Sequence, residues 1–565
     1  MKKYIILFLV ITSIISYSCS NEFDQIIPAE DRSFEDVFLD IDRTRSFLGP
    51  AYRGVRGAPW IGLDYYTTNA VNVDGDQGVP GYTAESSPVG GEWNTALTNI
   101  FKINEYFKYG FNIKYDALNE ELGEELKGRL KGEAYGLRGY YKWLLLKNFA
   151  GPSAADGTML GIPIIDELLS IEEVNNIPRS TYLESYNSIK KDLDSAYKYV
   201  DVLRYQGNGD IDGINLTGRV SREVIWAIRA RLDLFAASSA YQQISWEQAA
   251  QTAYNAIIQV DGGGLKGNGL EEFGNFNDTK NIDHLWRRTF ARNANLEKAH
   301  FPPSMFGRGE ANPSQNLVNA FPDSNGYPIN HPNSIYNGIS PYENRDGRLE
   351  RFIFYNGEND FRDTNIEVFE GGKDANGGFR KRATRTGYYM KKYLSSNIDL
   401  TPQSTSGSNV DFKTYAIFDR AGLYLDFAEA AVEAYGVNGS DGSMAFTAKD
   451  VIGTIRLRAG ITNDLYLDIA DDFQNTFRDL IRNERRIEFA FEGEYFYDVR
   501  RWKLPLEELN TSTMGVNVIK QENGSFTYEE KEVESKVFLE RMYYNPLPRH
   551  EVLTSNVLIQ NAGWE

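Results

Sequence analysis

The sequence predicts a mainly α-helical protein in which tetratricopeptide-like helix pairs form a frame and carry a loop-rich, irregular half with short strands and helices. Three observations lead there. Apolar residues recur at spacings of 3 and 4, the repeat of one helix face, through much of residues 31–260 and 414–565. Between about 261 and 413, Gly, Pro and Asn are frequent and long periodic runs are few, which is the composition of loops and short elements. From Arg482 to Trp502 a helical face of Leu480, Glu484, Ile487 and Phe491 is crowded by Arg482, Arg485, Arg486, Glu488 and Glu492. Buried charges persist only when paired, because desolvation costs several kcal/mol per ion. The expectation is an ion-paired clamp in which Glu484, Arg485, Arg486 and Glu488 pair internally and none faces a ligand.

The elements follow in order. Phe34 to Tyr52 has helical spacing, and 54–91 is irregular. A helix begins near Glu92 with Trp93, Leu97, Ile100 and Ile103 inward, and a long one runs from about Glu120 to Lys147 before Gly151-Pro152. Ser180 or Thr181 caps the next, through Tyr186, Ile189, Leu193 and Ala196. Further helices are expected from Arg222 to Ala240 and from Trp246 to Val260. After the irregular stretch come Phe418 to Ala434, Ala448 to Ala459 and Phe473 to Phe491, with Gly493 as a helix stop. Helices arranged this way stack as repeats, each burying its apolar face against its neighbours, although no strict 34-residue period survives.

At 565 residues the chain exceeds one ordinary core. A formal charge of -19 argues against a nucleic-acid partner, which needs a basic surface, and fits an extracytoplasmic protein. Residues 1–18 read as a lipoprotein signal peptide: Lys2 and Lys3 precede the apolar run Tyr4 to Ile15, which is too short to span a membrane. Cys19, the single cysteine, follows as the expected lipidation site, so no intramolecular disulfide is possible. Residues 19–30 read as a lipidated tether and 31–565 as one domain, with frame segments at about 31–260 and 414–565 and the insertion at about 261–413.

Motifs for chemistry fail on their details. Asn208 to Gly213 imitates a calcium loop, but its twelfth position is Arg219, where a bidentate Glu is needed, so it reads as a turn. Gly262 to Gly267 fits G-x-G-x-x-G, yet it follows a helix rather than a strand. None of His284, His300, His331 and His550 lies in H-E-x-x-H, and one cysteine builds no zinc cluster. Gly151 to Ala155 lacks the last glycine of a nucleophile elbow. A glycosidase needs only two carboxylates, and 79 acidic residues leave that option open.

In sequence order, these segments resemble the SusD/RagB family of nutrient-binding outer-membrane lipoproteins. The likeness rests on Ala134 to Pro152 with Gly161-Ile162-Pro163, on Arg179-Ser180-Thr181, and on Gly218 to Ser221 with Ala230-Arg231-Leu232. It continues through Asn344 to Leu349, where Gly347 replaces a proline, then Arg420, Ala428-Glu429-Ala430 and Ile455 to Gly460. Arg482 to Trp502 is its most specific element, and Asn556 to Trp564 resembles the family's terminal motif with both prolines replaced, at Val557 and Ala562.

The resemblance implies four tetratricopeptide-like pairs, a more irregular ligand-binding half, a surface-exposed lipoprotein that caps a SusC-like TonB-dependent transporter, and capture of glycan, or sometimes peptide, without chemistry; no cofactor and no metal-binding residues are expected from the sequence. It argues against the glycosidase reading. Sugar binding needs flat aromatic faces with amide and acid groups nearby, most tellingly on loops. The first candidate loop offers Trp60, Tyr65, Tyr66, Asn69, Asn72, Asp74, Asp76 and Tyr82. The second offers Phe301, Met305, Phe306, Arg308, Tyr327, Asn330, His331 and Tyr336. Trp93 and Trp286 read as core.

Overall fold

The computed structural model describes residues 38, 41–57, 59–75, 81–113, 115, 118–265, 281–402, 410–470 and 472–565. The expected leader, Cys19 and tether lie outside these residues, as do Phe34, Val37 and Asp76. The described part of the first expected helix is two short ones, Ile41–Ser46 and Gly49–Gly54. Pro50 suits the start of the second but could not continue the first.

Nine helices of eight residues or more occur among the described residues. They are α1 Gly91–Tyr109, α2 Glu120–Phe149, α3 Tyr182–Tyr199, α4 Arg222–Ala237, α5 Trp246–Asp261, α6 Arg420–Tyr435, α7 Ala448–Arg458, α8 Gln474–Glu488 and α9 Glu494–Arg501. Their starts obey side-chain capping. Asn119 accepts from Leu122 N, and Thr181 with Glu184 and Thr447 with Asp450 form reciprocal capping boxes. The helices stack in sequence, α1 on α2 and so on to α5 on α6, with α7 and α8 both against α6. This is the expected repeat-like frame. Glycines let α2 be approached closely; a Cβ at Gly136 would lie 2.5 Å from Val220 Cγ1. Arg138 of α2 pairs with Asp192 of α3 at 2.6 Å inside the stack.

The chain leaves the frame after α5 and returns at α6, so the insertion is threaded into a helix pair. Its base is an antiparallel ribbon of His284–Asn293 with Asp411–Asp419. Arg420 fastens the two ends, donating from Nε to Asp261 at 2.7 Å and from Nη1 to Asp283. The other ribbons are short, apart from the hairpin Ser512–Lys520 with Phe526–Ser535.

Two principal apolar cores result. One fills the frame, Trp93 and Trp286 included. The other fills the insertion with Phe301, Phe321, Phe352 and Tyr389, and recruits Tyr65 and Ala70 from the N-terminal segment and Val516 and Val518 from the hairpin. The stretch Arg482 to Trp502 joins them. Phe489, Phe496 and Tyr497 belong to the first core, and Ile487, Ala490 and Phe491 to the second. The helix ends at Glu488, earlier than periodicity suggests, because Phe491 (φ 67°) and Gly493 (φ 76°) turn the chain into α9. A Cβ at Gly493 would lie 2.8 Å from the Trp60 carbonyl oxygen, so only glycine fits.

The clamp is internal, but its partners come from other elements. Glu484 pairs with Arg348 and with Arg456 (3.2 Å), and Glu488 with Arg348 (3.0 Å) and Arg458. Arg485 pairs with Asp426 at 2.8 Å and Asp498 at 3.2 Å. Burial alone would raise Asp498, but Arg485 and Arg501 outweigh it and hold the carboxyl at about 2. Arg486 departs from the expectation: its Nε donates to the neutral Asn69 Oδ1 at 2.7 Å. The terminal motif is equally structural. Asn561 donates to the Phe149 carbonyl at 3.0 Å and accepts from Arg179 Nη1 at 2.8 Å. Trp564 stacks on Tyr82, ring centroids 5.4 Å apart.

Candidate functional site

Three loops of the insertion side converge. The first follows Ala70–Asn72, which pairs antiparallel with Ala311–Pro313. The second, 301–310, folds back on the short helix Asn295–His300: Arg308 N donates to the Lys298 carbonyl at 3.0 Å and Glu310 N to that of Ala299 at 2.9 Å. Phe301 is its buried anchor, set against Phe361. Met305 is buried, and Phe306 then takes the left-handed conformation (φ 66°) and is 48% exposed as a residue. Arg308 reaches the first loop, donating to Asp74 at 3.1 Å. Beneath lies His300, whose imidazole is lowered to about 4 by burial and by Arg308.

The third loop, 371–385, was not singled out by sequence. Ser304 N donates to Asp374 Oδ1 at 2.7 Å, fixing it to the second loop. Arg385 donates to the carbonyls of Asn72 (3.3 Å) and Gly75 (3.1 Å), fixing it to the first. Asn376 closes its neck, donating to the Thr384 carbonyl and accepting from Ala383 N, both at 2.8 Å. The closed tip presents Phe379, 67% exposed, with Arg380, Lys381 and Arg382 exposed beside it. An aromatic and three cations directly after Gly377-Gly378 were the available sequence signal.

Of the other expected residues, several are spent on structure. Tyr65 is 4% exposed in the second core, and burial raises its phenol far above the usual range. Asn69 is buried, donating to Asp64 at 3.1 Å and accepting from Arg486. Tyr82 is buried, donating to Asn545 Oδ1 at 2.8 Å. Tyr66 is half-buried with its ring edge-on to Tyr82 and Phe496. Tyr327 stacks on His331 in a turn organised by Asp323, which is tied to the frame by Arg456 donating to the Gly326 carbonyl at 2.8 Å. Tyr336 lies under Arg345. These residues do not join the group of Asp74, Phe306 and Arg308; they are used in packing within the insertion core, the frame and the turn around Asp323.

Trp60 lines a seam between frame and insertion, with the Arg56 guanidinium over its ring. The seam also holds Lys147, Arg231, Asp419, Glu492 and Glu494, and its cavity of about 90 Å³ is small. Small-molecule sites run to roughly 300 Å³ or more. Its acids and bases are engaged: Lys147 pairs with Glu494 (2.8 Å) and Lys392 with Glu492 (2.7 Å). Asp419 caps α6 through Gly422 N at 2.6 Å. Among the described residues, no cluster of three or more His, Cys, Asp or Glu could hold a metal, and no helix is long and apolar enough to cross a membrane.

Comparison with known proteins accords with this architecture. A family model described as the SusD family matches residues 273–564, and a second, described as starch-binding and associating with the outer membrane, matches residues 66–206. The first spans more than half of the chain, and the chain belongs to the SusD family. A solved SusD-like protein from Bacteroides fragilis is 21% identical with a TM-score of 0.74, over 94% of this chain and 98% of its own. A SusD-like carbohydrate binding protein from the same species is 18% identical with a TM-score of 0.70, over 92% of this chain and 99% of its own. Surface glycan-binding protein A from Bacteroides fluxus is 19% identical with a TM-score of 0.59, over 92% and 99%. At these identities the likeness is one of fold, and it bears out the expected fold class. No curated protein sequence matches the chain.

Proposed function

We propose that the protein is a cell-surface glycan-binding lipoprotein of the outer membrane, anchored through Cys19, that captures oligo- or polysaccharide and passes it unchanged to a SusC-like TonB-dependent transporter. The observation that carries this reading is Phe306. A bulky aromatic in the left-handed region is costly, and such strain clusters at functional sites. Here it turns half of a ring out to solvent on a loop held rigid by its own backbone hydrogen bonds. A flat apolar face of this kind stacks on the C–H face of a sugar, while Asp74 and Arg308 alongside offer partners for hydroxyls.

Family membership supports capture, as does the description of two similar solved structures as carbohydrate- and glycan-binding proteins and of the family matching residues 66–206 as starch-binding. The pairing of Glu484, Glu488 and Asp498 with arginines supports the absence of chemistry in this most acid-rich stretch, since a general acid or base must be free to exchange a proton with substrate. The test is a glycan array with the purified protein, followed by long incubation with any retained glycan. Retention without products is expected, and Phe306→Ala should lose it at unchanged melting temperature. Products would refute the non-catalytic reading; unchanged affinity in the variant would remove this loop from the site. Co-purification of a transporter with the full-length protein from outer membranes tests the delivery step.

A further inference from the structure

We infer that the 376–382 tip, with Phe379 and the cations Arg380, Lys381 and Arg382, is a subsite for acidic glycans, whose sugars carry carboxylate or sulfate groups. The inference rests on the glycan-binding reading and adds a ligand class to it. The chain carries a formal charge of -19, yet three consecutive cations stand exposed at this tip. Among the described residues no carboxylate pairs with any of the three, whereas neighbouring basic residues are engaged: Arg308 with Asp74 at 3.1 Å and Arg385 with Glu534 at 2.7 Å. Unpaired like charges side by side repel one another, so the tip gains most from an incoming anion.

The tip is also built. Asn376 closes its neck on Ala383 and Thr384, Phe379 N donates to the Lys373 carbonyl at 2.9 Å, and Gly377 N to that of Arg380 at 2.9 Å. Phe379, 67% exposed, adds the apolar face that a sugar ring needs. Arg380 and Arg382 supply planar forks matched to carboxylate or sulfate, and Lys381 a point charge. A ring face beside guanidinium forks is the complement of a charged sugar. An anionic bilayer is a poorer match, because the rest of this acidic molecule would be repelled by an extended negative surface. An acidic polysaccharide meets the same net repulsion from the molecule as a whole, and the three exposed cations of this tip offset it locally, beside the loop that carries Phe306.

The experiment measures retention of the purified protein on polygalacturonate, chondroitin sulfate and dextran, and on vesicles containing phosphatidylglycerol, at low and raised salt. Retention on at least one of the two acidic glycans, weakened by salt, is expected. The triple variant Arg380→Gln/Lys381→Gln/Arg382→Gln should weaken it about tenfold. Phe379→Ala should weaken it at both salt concentrations, since stacking is not screened. The tip is exposed and outside both cores, and far-UV circular dichroism verifies that the variants fold. Binding to dextran alone, unchanged in the triple variant, would overturn the acidic subsite and leave glycan capture standing. Retention of no glycan of any class, on these supports or on the array, would overturn both. Binding to vesicles but not to glycans would overturn the subsite in favour of a lipid contact.

Discussion

Arg348 Nη1 donates to Glu488 Oε2 at 3.0 Å, and the pair bridges the insertion and the frame with both groups buried. The same guanidinium holds Asp346 at 2.6 Å. Burial would raise Glu488, but Arg458 and Arg348 outweigh it and hold the carboxyl below its usual range. The neighbouring Gly347, where the family has proline, sits so close to the Ala459 carbonyl that any Cβ would come within 2.7 Å of it. Removing one partner of such a cluster strands the others as buried charges. Arg348→Ala is therefore expected to cost about 3–5 kcal/mol, read as a lowered urea midpoint or failure to accumulate folded protein. A loss under about 1 kcal/mol, the scale of exposed pairs, would show that the cluster does not hold the two parts together.

Asp419 gives a pH signature. Burial, with Glu492 and Glu488 adding repulsion, raises its carboxyl to about 7. The unfolded chain releases that proton near 3.9. Between about 4 and 7 the folded state thus binds more protons than the unfolded one, and the contribution of this group to stability is lost as pH rises through that window. Asp419→Asn keeps the acceptor for Gly422 N and removes the charge. It should match the parent near pH 4 and exceed it at pH 8 by up to about 4 kcal/mol. A difference that does not vary with pH would overturn this account of the seam.

His300 has the opposite sign. Its imidazole, ordinarily near 6.5, is lowered to about 4 by burial and by Arg308. The unfolded state now binds the extra proton first, so stability is lost as pH falls from about 6.5 to about 4. His300→Gln, with no charge to gain, should flatten that acid limb by up to about 3 kcal/mol. Thermal melts of parent and variant at pH 7, 5.5 and 4 check it. Equal slopes would mean that the imidazole is solvated when charged.

The frame was legible because helix spacing, caps and charge pairing act locally. Thr181 caps α3 and Asn119 caps α2 through residues three positions along the chain. The clamp was legible as a cluster of charges, but not in its partners, since Arg348, Asp426 and Arg456 arrive from elements far away in sequence. The candidate site was legible only in part. Asp74, Phe306 and Arg308 reach the surface, whereas Tyr65 and Asn69, chemically just as suitable, are claimed by a core and by Arg486. Aromatic residues serve cores and sugars equally well, so composition alone cannot separate the two uses. Solvent exposure does separate them, and it is fixed by tertiary packing.

Phe306 allows strain and function to be pulled apart. An L-residue in the left-handed conformation costs roughly 1–2 kcal/mol, a cost that glycine escapes and alanine keeps. The half-exposed ring returns little burial energy. Phe306→Gly and Phe306→Ala both delete the stacking face, so both should lose glycan retention to the same degree. Their stabilities should diverge, with the glycine variant above the alanine variant by about 1 kcal/mol, less whatever unfolded-state entropy the glycine adds. Paired urea titrations and affinity electrophoresis resolve the two quantities. If the alanine variant were the more stable by the full entropic penalty of glycine, roughly 1 kcal/mol, the backbone would not be strained at this position. If either variant kept full affinity, the ring would not be the platform. If both expectations hold, the strained backbone at Phe306 is maintained for what its ring does, since glycine, which relieves the strain, does so only at the expense of binding.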